Sequence, residues 1–130
     1  MPRVLVVDDT ASIRFLIRTN LELAGYDVDE AVDGVDCLDV LRGLETMPDL
    51  ITVDVMMPRL DGVATVTAIR ADRRTRDIAV VMVSTQGQAA DIQRATEAGA
   101  DAYVIKPFDP DHLVVTVGDV LDRTAGRRTP

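Results

Sequence analysis

The sequence predicts an α/β domain built on a five-stranded parallel sheet with five helices. Short apolar runs alternate along the chain with longer amphipathic stretches, which is the pattern of strands and crossover helices in such a sheet. Several of the short runs are continuously aliphatic and rich in β-branched residues, as strands buried on both faces are. A length of 130 residues fits one domain that can bury a hydrophobic core of its own.

The predicted strands are the most apolar short segments, although the second has a weaker, alternating pattern. They are Val4–Val7, Tyr26–Ala31, Leu50–Val53, Ile78–Val83 and Ala102–Ile105. Apolar residues recur at helical spacing in the segments between and after them. These helical segments lie within Ile13–Ala24, Gly34–Leu44, Asp61–Ala71, Gln88–Ala98 and Pro110–Leu121. We therefore predict one domain over residues 1–123. Residues 124–130 have little apolar content and are predicted to form a short flexible tail.

The charge and composition exclude several classes of protein. The net charge of −8 and the pI of about 4.5 argue against direct binding of nucleic acid by this chain. No apolar run approaches the ~20 residues that cross a bilayer, so we expect no membrane association. Cys37 is the only cysteine, which rules out an internal disulfide and favours a buried packing role in a cytoplasmic protein.

Reactive polar residues follow four of the five predicted strands. Asp8 and Asp9 follow the first strand, Asp54 the third, Ser84 the fourth and Lys106 the fifth. Because ligands of open parallel sheets bind outside the carboxyl ends of the strands, we expect these side chains to converge. Lys106 is the only lysine beside 13 arginines. This fits a requirement for a compact ammonium group, although an arginine-biased composition could also leave one lysine by chance.

The residue types in this set suit phosphoryl transfer. Clustered carboxylates repel one another and raise each other's pKa, and a divalent cation such as Mg²⁺ relieves that repulsion. A carboxylate can also attack phosphorus as a nucleophile, giving an acyl phosphate. The Ser84 hydroxyl and the Lys106 ammonium are the groups expected to stabilise the phosphoryl oxygens. The alternative for any single Asp is that it only caps a helix, as Asp9 could.

Four runs of the sequence resemble the receiver domain of two-component response regulators, in particular the single-domain chemotaxis type. The runs are V-L-V-V-D-D-T, D-L-I-T-V-D-V-M-M-P-R-L-D-G, V-V-M-V-S-T and A-G-A-D-A-Y-V-I-K-P-F, and the resemblance extends over residues 3–122. It implies a flavodoxin-like doubly wound sheet with the strand order 2-1-3-4-5. It also implies a signalling switch in a two-component system or phosphorelay. Such a switch is not an enzyme beyond Mg²⁺-dependent self-phosphorylation and autodephosphorylation.

The resemblance assigns a role to each strand-end residue. Asp54 is the phosphoacceptor, which makes the chain a phosphoprotein. Ser84 and Lys106 are the other two residues that take part in phosphoryl transfer. Asp8, Asp9 and Asp54 hold Mg²⁺ together with the backbone carbonyl of Met56.

The resemblance also implies how the signal leaves the site. Tyr103 is the switch aromatic, which turns inward as Ser84 moves toward the phosphoryl group. The peptide bond between Lys106 and Pro107 is expected to be cis. The output surface is the face of the fourth helix, the fifth strand and the fifth helix, given by Gln88–Ala98, Ala102–Ile105 and Asp109–Asp122.

The expected partners follow from these roles. A histidine kinase or a phosphotransfer protein, or a small phosphodonor, supplies the phosphoryl group. A downstream target protein binds the output surface, and the chain is a monomer or a phosphorylation-dependent dimer.

Two other classes of protein share parts of this pattern. Haloacid-dehalogenase-like phosphatases also use a strand-end Asp with Mg²⁺, but they usually carry D-x-D after the first strand, where this chain has Asp8-Asp9. A flavin-binding module would need a hydroxyl- and glycine-rich phosphate loop and aromatic residues to stack the ring, whereas this chain has only 2 Tyr and 2 Phe. Within the receiver family, the chain is either a stand-alone regulator or a receiver excised from a larger protein.

Overall fold

Five strands and five helices alternate along the described part of the chain, residues 2–128 of this computed structural model. The strands are β1 (Arg3–Val7), β2 (Asp27–Ala31), β3 (Leu50–Asp54), β4 (Ala79–Ser84) and β5 (Ala102–Ile105). The helices are α1 (Ala11–Leu23), α2 (Gly34–Gly43), α3 (Gly62–Ala71), α4 (Ala89–Ala98) and α5 (Pro110–Arg128). None of these helices is both long enough and apolar enough to span a membrane.

The strands form one parallel sheet in the order β2-β1-β3-β4-β5, which confirms the predicted fold. The register pairs Val7 of β1 with Ala31 of β2 and with Val53 of β3. It also pairs Asp54 of β3 with Val83 of β4. The carboxyl ends of β1, β3 and β4 therefore stop at nearly the same level, and the loops that follow them share one edge of the sheet.

Both faces of the sheet are covered by helices, because successive strand residues point to opposite sides. In β1, Leu5 and Val7 belong to a core packed under α2, α3 and α4, which we call the α2–α4 core. Val4 and Val6 belong to a second core packed under α1 and α5. The continuously apolar run that predicted β1 is thus explained by burial on both faces.

Cys37 lies fully buried on α2 within the α2–α4 core. Burial, reinforced by the negative charges of Asp36 and Asp33, raises the pKa of its thiol to about 12. The thiol therefore stays protonated and inert, which confirms the predicted packing role.

The predicted flexible tail is wrong for residues 124–128, which continue α5 to Arg128. Thr124 is buried, and its hydroxyl donates a hydrogen bond of 2.7 Å to the Val120 carbonyl. Arg127 forms an ion pair with Asp101 just before β5, at an N···O distance of 2.8 Å. These polar contacts hold the helix end, and a prediction based on apolar content alone could not see them. The predicted tail residues 129 and 130 lie outside the described residues.

Candidate functional site

Three carboxylates meet at the carboxyl edge of the sheet. Asp8 and Asp9 follow β1, and Asp54 is the last residue of β3. Oxygens of the three side chains lie within 4.8 Å of one another. Asp8 is 1% exposed and Asp54 is 6% exposed, whereas Asp9 faces solvent. The structure thus brings together the acidic residues that the sequence placed at the ends of two separate strands.

Lys106 reaches this acidic cluster from the end of β5. Its Nζ atom lies 2.9 Å from Asp8 Oδ2 and 3.4 Å from Asp54 Oδ2. The backbone N–H of Lys106 donates to the Ser84 carbonyl at 2.7 Å, and the peptide bond between Lys106 and Pro107 is cis, as expected. One ammonium therefore compensates two carboxylates at a largely desolvated position.

The surroundings of Asp54 disfavour the ionised form of its carboxyl group. Burial raises the pKa of its carboxyl, and the negative charge of Asp8 raises it further. The positive charge of Lys106 opposes these effects without overcoming them. Met56 N donates only a long hydrogen bond of 3.3 Å to Asp54 Oδ1. An additional cation beside Asp54 would favour its ionised form.

Asp8 is held more firmly than sequence reasoning anticipated. The backbone N–H of Thr10 donates to Asp8 Oδ1 at 2.9 Å, while Lys106 binds the other oxygen. The Arg14 guanidinium donates to the Asp8 carbonyl at 2.8 Å and is itself paired with Glu30 of β2. The sequence signal for Arg14 is only its position one turn into α1, which is too common to single it out.

The two predicted switch residues, Ser84 and Tyr103, each form a hydrogen bond with the backbone of Gln86. Ser84 is fully buried, and its Oγ accepts a hydrogen bond of 3.0 Å from Gln86 N. The Tyr103 hydroxyl donates to the Gln86 carbonyl, and its ring packs against the α2–α4 core. Sequence reasoning did not find this shared partner, because hydrogen bonds made by the backbone of Gln86 leave no pattern in the sequence.

Met56 occupies the loop that follows Asp54. The residue is 58% exposed, and its sulfur lies 3.2 Å from Gln86 Nε2. The structure therefore places Met56 beside the acidic cluster in the β3–α3 connection. Its predicted role as a carbonyl ligand remains a prediction.

Comparison with known proteins gives a consistent family assignment. The DNA-binding dual master transcriptional regulator RpaA of Synechocystis is 42% identical over 124 residues, which is 95% of this chain and 51% of that relative. The transcriptional regulatory protein PrrA of Mycobacterium leprae is 41% identical over 128 residues, or 98% of this chain and 53% of that protein. The chain thus spans about half the length of the curated relatives it matches.

Solved structures show the same architecture. The chemotaxis protein CheY4 of Vibrio cholerae has a TM-score of 0.86 at 33% identity, covering 92% of this chain and 98% of that one. The receiver domain of the Francisella response regulator 1452 has a TM-score of 0.86 at 31% identity, covering 95% and 99%. The sequence model of the family, the response regulator receiver domain, matches residues 4–118. The chain therefore belongs to this family of two-component signalling domains.

Proposed function

We propose that Asp54 accepts a phosphoryl group and that the chain thereby acts as the switch of a two-component system. Phosphorylation-dependent switching is the general function of the receiver family to which the chain belongs. The observation that carries the assignment of Asp54 is its buried position beside both Asp8 and Lys106, where its pKa is raised. A histidine kinase, a phosphotransfer protein or a small phosphodonor would supply the phosphoryl group.

The residues of the acidic cluster fit a Mg²⁺ ion. Asp8, Asp9 and Asp54 offer carboxylate oxygens within 4.8 Å of one another, and the Met56 carbonyl would complete the protein's ligand set. Oxygen ligands of this kind are those that Mg²⁺ prefers. The ion would neutralise the carboxylates and share phosphate oxygens with the protein.

Phosphoryl transfer then needs positioned groups around Asp54. An Asp54 oxygen forms a bond to phosphorus while the bond between phosphorus and the donor atom breaks, and the donor leaves with the bonding electron pair. Lys106 can exchange its carboxylate partners for the new phosphoryl oxygens. The Ser84 Oγ accepts from Gln86 N, so its own O–H stays available to donate to the phosphoryl group. Attack of water on the acyl phosphate would return Asp54 and release phosphate, which is autodephosphorylation and not turnover of an external substrate.

The link through Gln86 supports the proposed switch. A phosphoryl group that draws the Ser84 hydroxyl inward would disturb the hydrogen bond to Gln86 N, and the Gln86 carbonyl is the partner of the Tyr103 hydroxyl. The change would reach the face of α4, β5 and α5, where a downstream target or a second copy of the chain would bind. Moving a 1:99 population to 99:1 requires about 5.5 kcal/mol of differential stabilisation, so partial switching is the expected response.

The setting of the switch is part of the same proposal. The two curated relatives above are transcriptional regulators about twice as long as this chain, and their names concern those proteins. For this chain we propose a cytoplasmic switch that acts through a protein partner and does not itself bind nucleic acid, in keeping with its net charge of −8.

Mass spectrometry of the intact protein tests the assignment. After incubation with acetyl phosphate and Mg²⁺, the wild-type protein should gain one phosphate. Asp54→Asn should gain none, while the matched control Asp119→Asn, at an exposed position of α5, should label normally. Equal labelling of wild type and Asp54→Asn would refute the assignment of Asp54.

A further inference from the structure

The first residues of α2 contact the loop between β3 and α3, residues 55–61, which we call the β3–α3 loop. Arg59 in this loop binds Asp33, the residue that caps α2. Arg59 Nε lies 2.7 Å from Asp33 Oδ2, and Arg59 Nη2 lies 2.9 Å from Asp33 Oδ1. The ion pair is bidentate, and the Asp33 side chain is only 7% exposed. The same carboxylate accepts a hydrogen bond of 2.8 Å from Asp36 N, so its orientation is fixed.

A second contact joins the same two elements. A Cβ atom at Gly34 would lie 2.2 Å from Thr65 Oγ1 and 2.5 Å from the Leu60 carbonyl oxygen. Glycine is therefore required for α2 to approach the β3–α3 loop so closely. The ion pair and the close approach lie on neighbouring residues, and together they press the start of α2 against the loop.

The backbone conformation of Arg59 indicates that contacts with its surroundings hold the loop in its shape. Arg59 has φ 66°, the only positive φ of a non-glycine residue in the part of the chain described. The left-handed region is unfavourable for a residue with a side chain and persists only where the surroundings hold it. Glycine would adopt this backbone freely, but it could not form the ion pair. The chain keeps an arginine where the backbone favours glycine, so the side chain has a role there.

The loop held in this way contains the residues that flank Asp54. Gly62 N donates to the Val55 carbonyl at 2.8 Å, and Leu60 N donates to the Pro58 carbonyl at 2.7 Å. The loop is thus short and internally bonded, and Met56 lies only three residues from Arg59. Because these hydrogen bonds restrain the short segment between the two residues, a displacement of Arg59 would also displace Met56.

We propose that Asp33 and Arg59 form a positioning clamp, which holds the β3–α3 loop so that the Met56 carbonyl is placed for Mg²⁺ binding and phosphoryl transfer. This inference rests on the proposed function. Neither residue belongs to the acidic cluster, so the clamp acts on the site through Met56.

Charge alone makes a different prediction from the clamp. Removing the positive charge of Arg59 would strengthen the binding of a cation nearby, whereas removing the negative charge of Asp33 would weaken it. Loss of the clamp weakens Mg²⁺ binding in both cases. Arg59→Gly and Asp33→Asn therefore separate the two accounts by the sign of their effects. Asn also caps helices well, so Asp33→Asn keeps the start of α2 intact.

The experiment measures the Mg²⁺ dissociation constant by calorimetry and the rate of phosphorylation by acetyl phosphate on the full chain. We expect Arg59→Gly and Asp33→Asn each to weaken Mg²⁺ binding by about three- to tenfold. The double variant should be no worse than the worse single variant, because both remove one clamp. Arg59→Lys keeps the charge but lacks the fork-shaped pair of donors, so its effect should be intermediate. Asp39→Asn, which removes an exposed charge from the same helix, is the matched control and should bind as wild type does.

Melting temperatures complete the test. Arg59→Gly relieves the unfavourable φ but also removes the ion pair to the buried Asp33 carboxylate. These two effects oppose each other, so its melting temperature should stay close to that of wild type while Mg²⁺ binds more weakly. Effects of opposite sign in Arg59→Gly and Asp33→Asn, or unchanged binding in both, would overturn the clamp. A loss of affinity that follows a loss of melting temperature across the variants would overturn it as well. If wild type neither binds Mg²⁺ nor takes up phosphate on Asp54, the proposed function fails first, and the clamp with it.

Discussion

Two aspartates at opposite edges of the same sheet, both largely shielded from solvent, have pKa values shifted in opposite directions. Asp54 ends β3 at the carboxyl edge, and its pKa is raised. Asp101 directly precedes β5 at the amino edge, and its pKa is lowered. Both side chains are mostly shielded from solvent, at 8% and 11% exposure. Burial opposes ionisation at both positions, so the difference must come from their neighbours.

The neighbours of Asp101 are donors on every side. Arg127 contacts both carboxylate oxygens, at 3.0 Å and 2.8 Å, and Val80 N donates at 2.9 Å. Arg70 adds a contact of 3.2 Å while also binding the Gly99 carbonyl. These hydrogen bonds and positive charges outweigh burial, and they hold the pKa of Asp101 below its usual value.

The neighbours of Asp54 include a second carboxylate, and one lysine serves both. Lys106 lies closer to Asp8 than to Asp54, so Asp54 is the less compensated partner. The amino edge is therefore arranged for stability. At the carboxyl edge the negative charges are only partly compensated, as the proposed role of Asp54 as a cation-binding phosphoacceptor would require.

The same substitution at the two edges should give opposite results, and this is the largest expected effect. Asp101→Asn removes the charge that pairs with Arg127 and Arg70, and it should lower the free energy of unfolding by about 2–3 kcal/mol. Asp54→Asn removes a repelled, buried charge and should leave stability equal or slightly higher. Urea unfolding at pH 7 measures both. A comparable loss of stability in the two variants would contradict the difference between the two edges.

Added Mg²⁺ should act on the carboxyl edge alone. If the ion binds only the folded chain, it should raise the free energy of unfolding by about 2 kcal/mol at about thirtyfold its dissociation constant. Asp9→Ala should blunt this response, because Asp9 is the exposed member of the acidic cluster. Asp101→Asn should keep the full response despite its lower stability. Unfolding curves with and without Mg²⁺ decide the point, and an equal response in Asp9→Ala would contradict a shared site.

Acid should narrow the stability gap between wild type and Asp101→Asn. The folded-state pKa of Asp101 lies below its unfolded value, so its contribution to stability is complete above about pH 4. Below that pH the unfolded chain binds a proton that the folded chain does not, and the contribution is lost as the pH falls through the folded pKa. Urea titrations at neutral and acid pH measure the gap. A gap that stays constant down to the acid limit of folding would contradict the lowered pKa.

The sequence was sufficient to predict the carboxyl edge. Asp8, Asp54 and Lys106 are reactive types placed directly after apolar runs, and parallel strands must end at a common edge. The fold and the convergence of these residues therefore follow from local pattern together with one topological rule. The strand order itself came from the family resemblance.

The amino edge could not be predicted in this way. Arg127 and Asp101 are common surface types, and nothing in their local sequence indicates that they meet. Their pairing depends on how far α5 extends, and the apolar pattern ended before residue 124. The Asp33–Arg59 pair was missed for the same reason, because a contact between two loops has no periodicity to reveal it.

A conservative change at the amino edge should give the smallest effect and locate it. Arg127→Lys keeps the charge but replaces two parallel hydrogen bonds to Asp101 by a single point contact. Because Arg127 is partly exposed, the cost should be only about 0.5–1 kcal/mol in the free energy of unfolding. Amide hydrogen exchange should become faster at residues 124–128, where the helix end loses its anchor, and stay unchanged around Asp54. Labelling by acetyl phosphate should match wild type, since the ion pair lies at the opposite edge from Lys106. Faster exchange near Asp54 or weaker labelling would show that the two edges are coupled and would refute their independence.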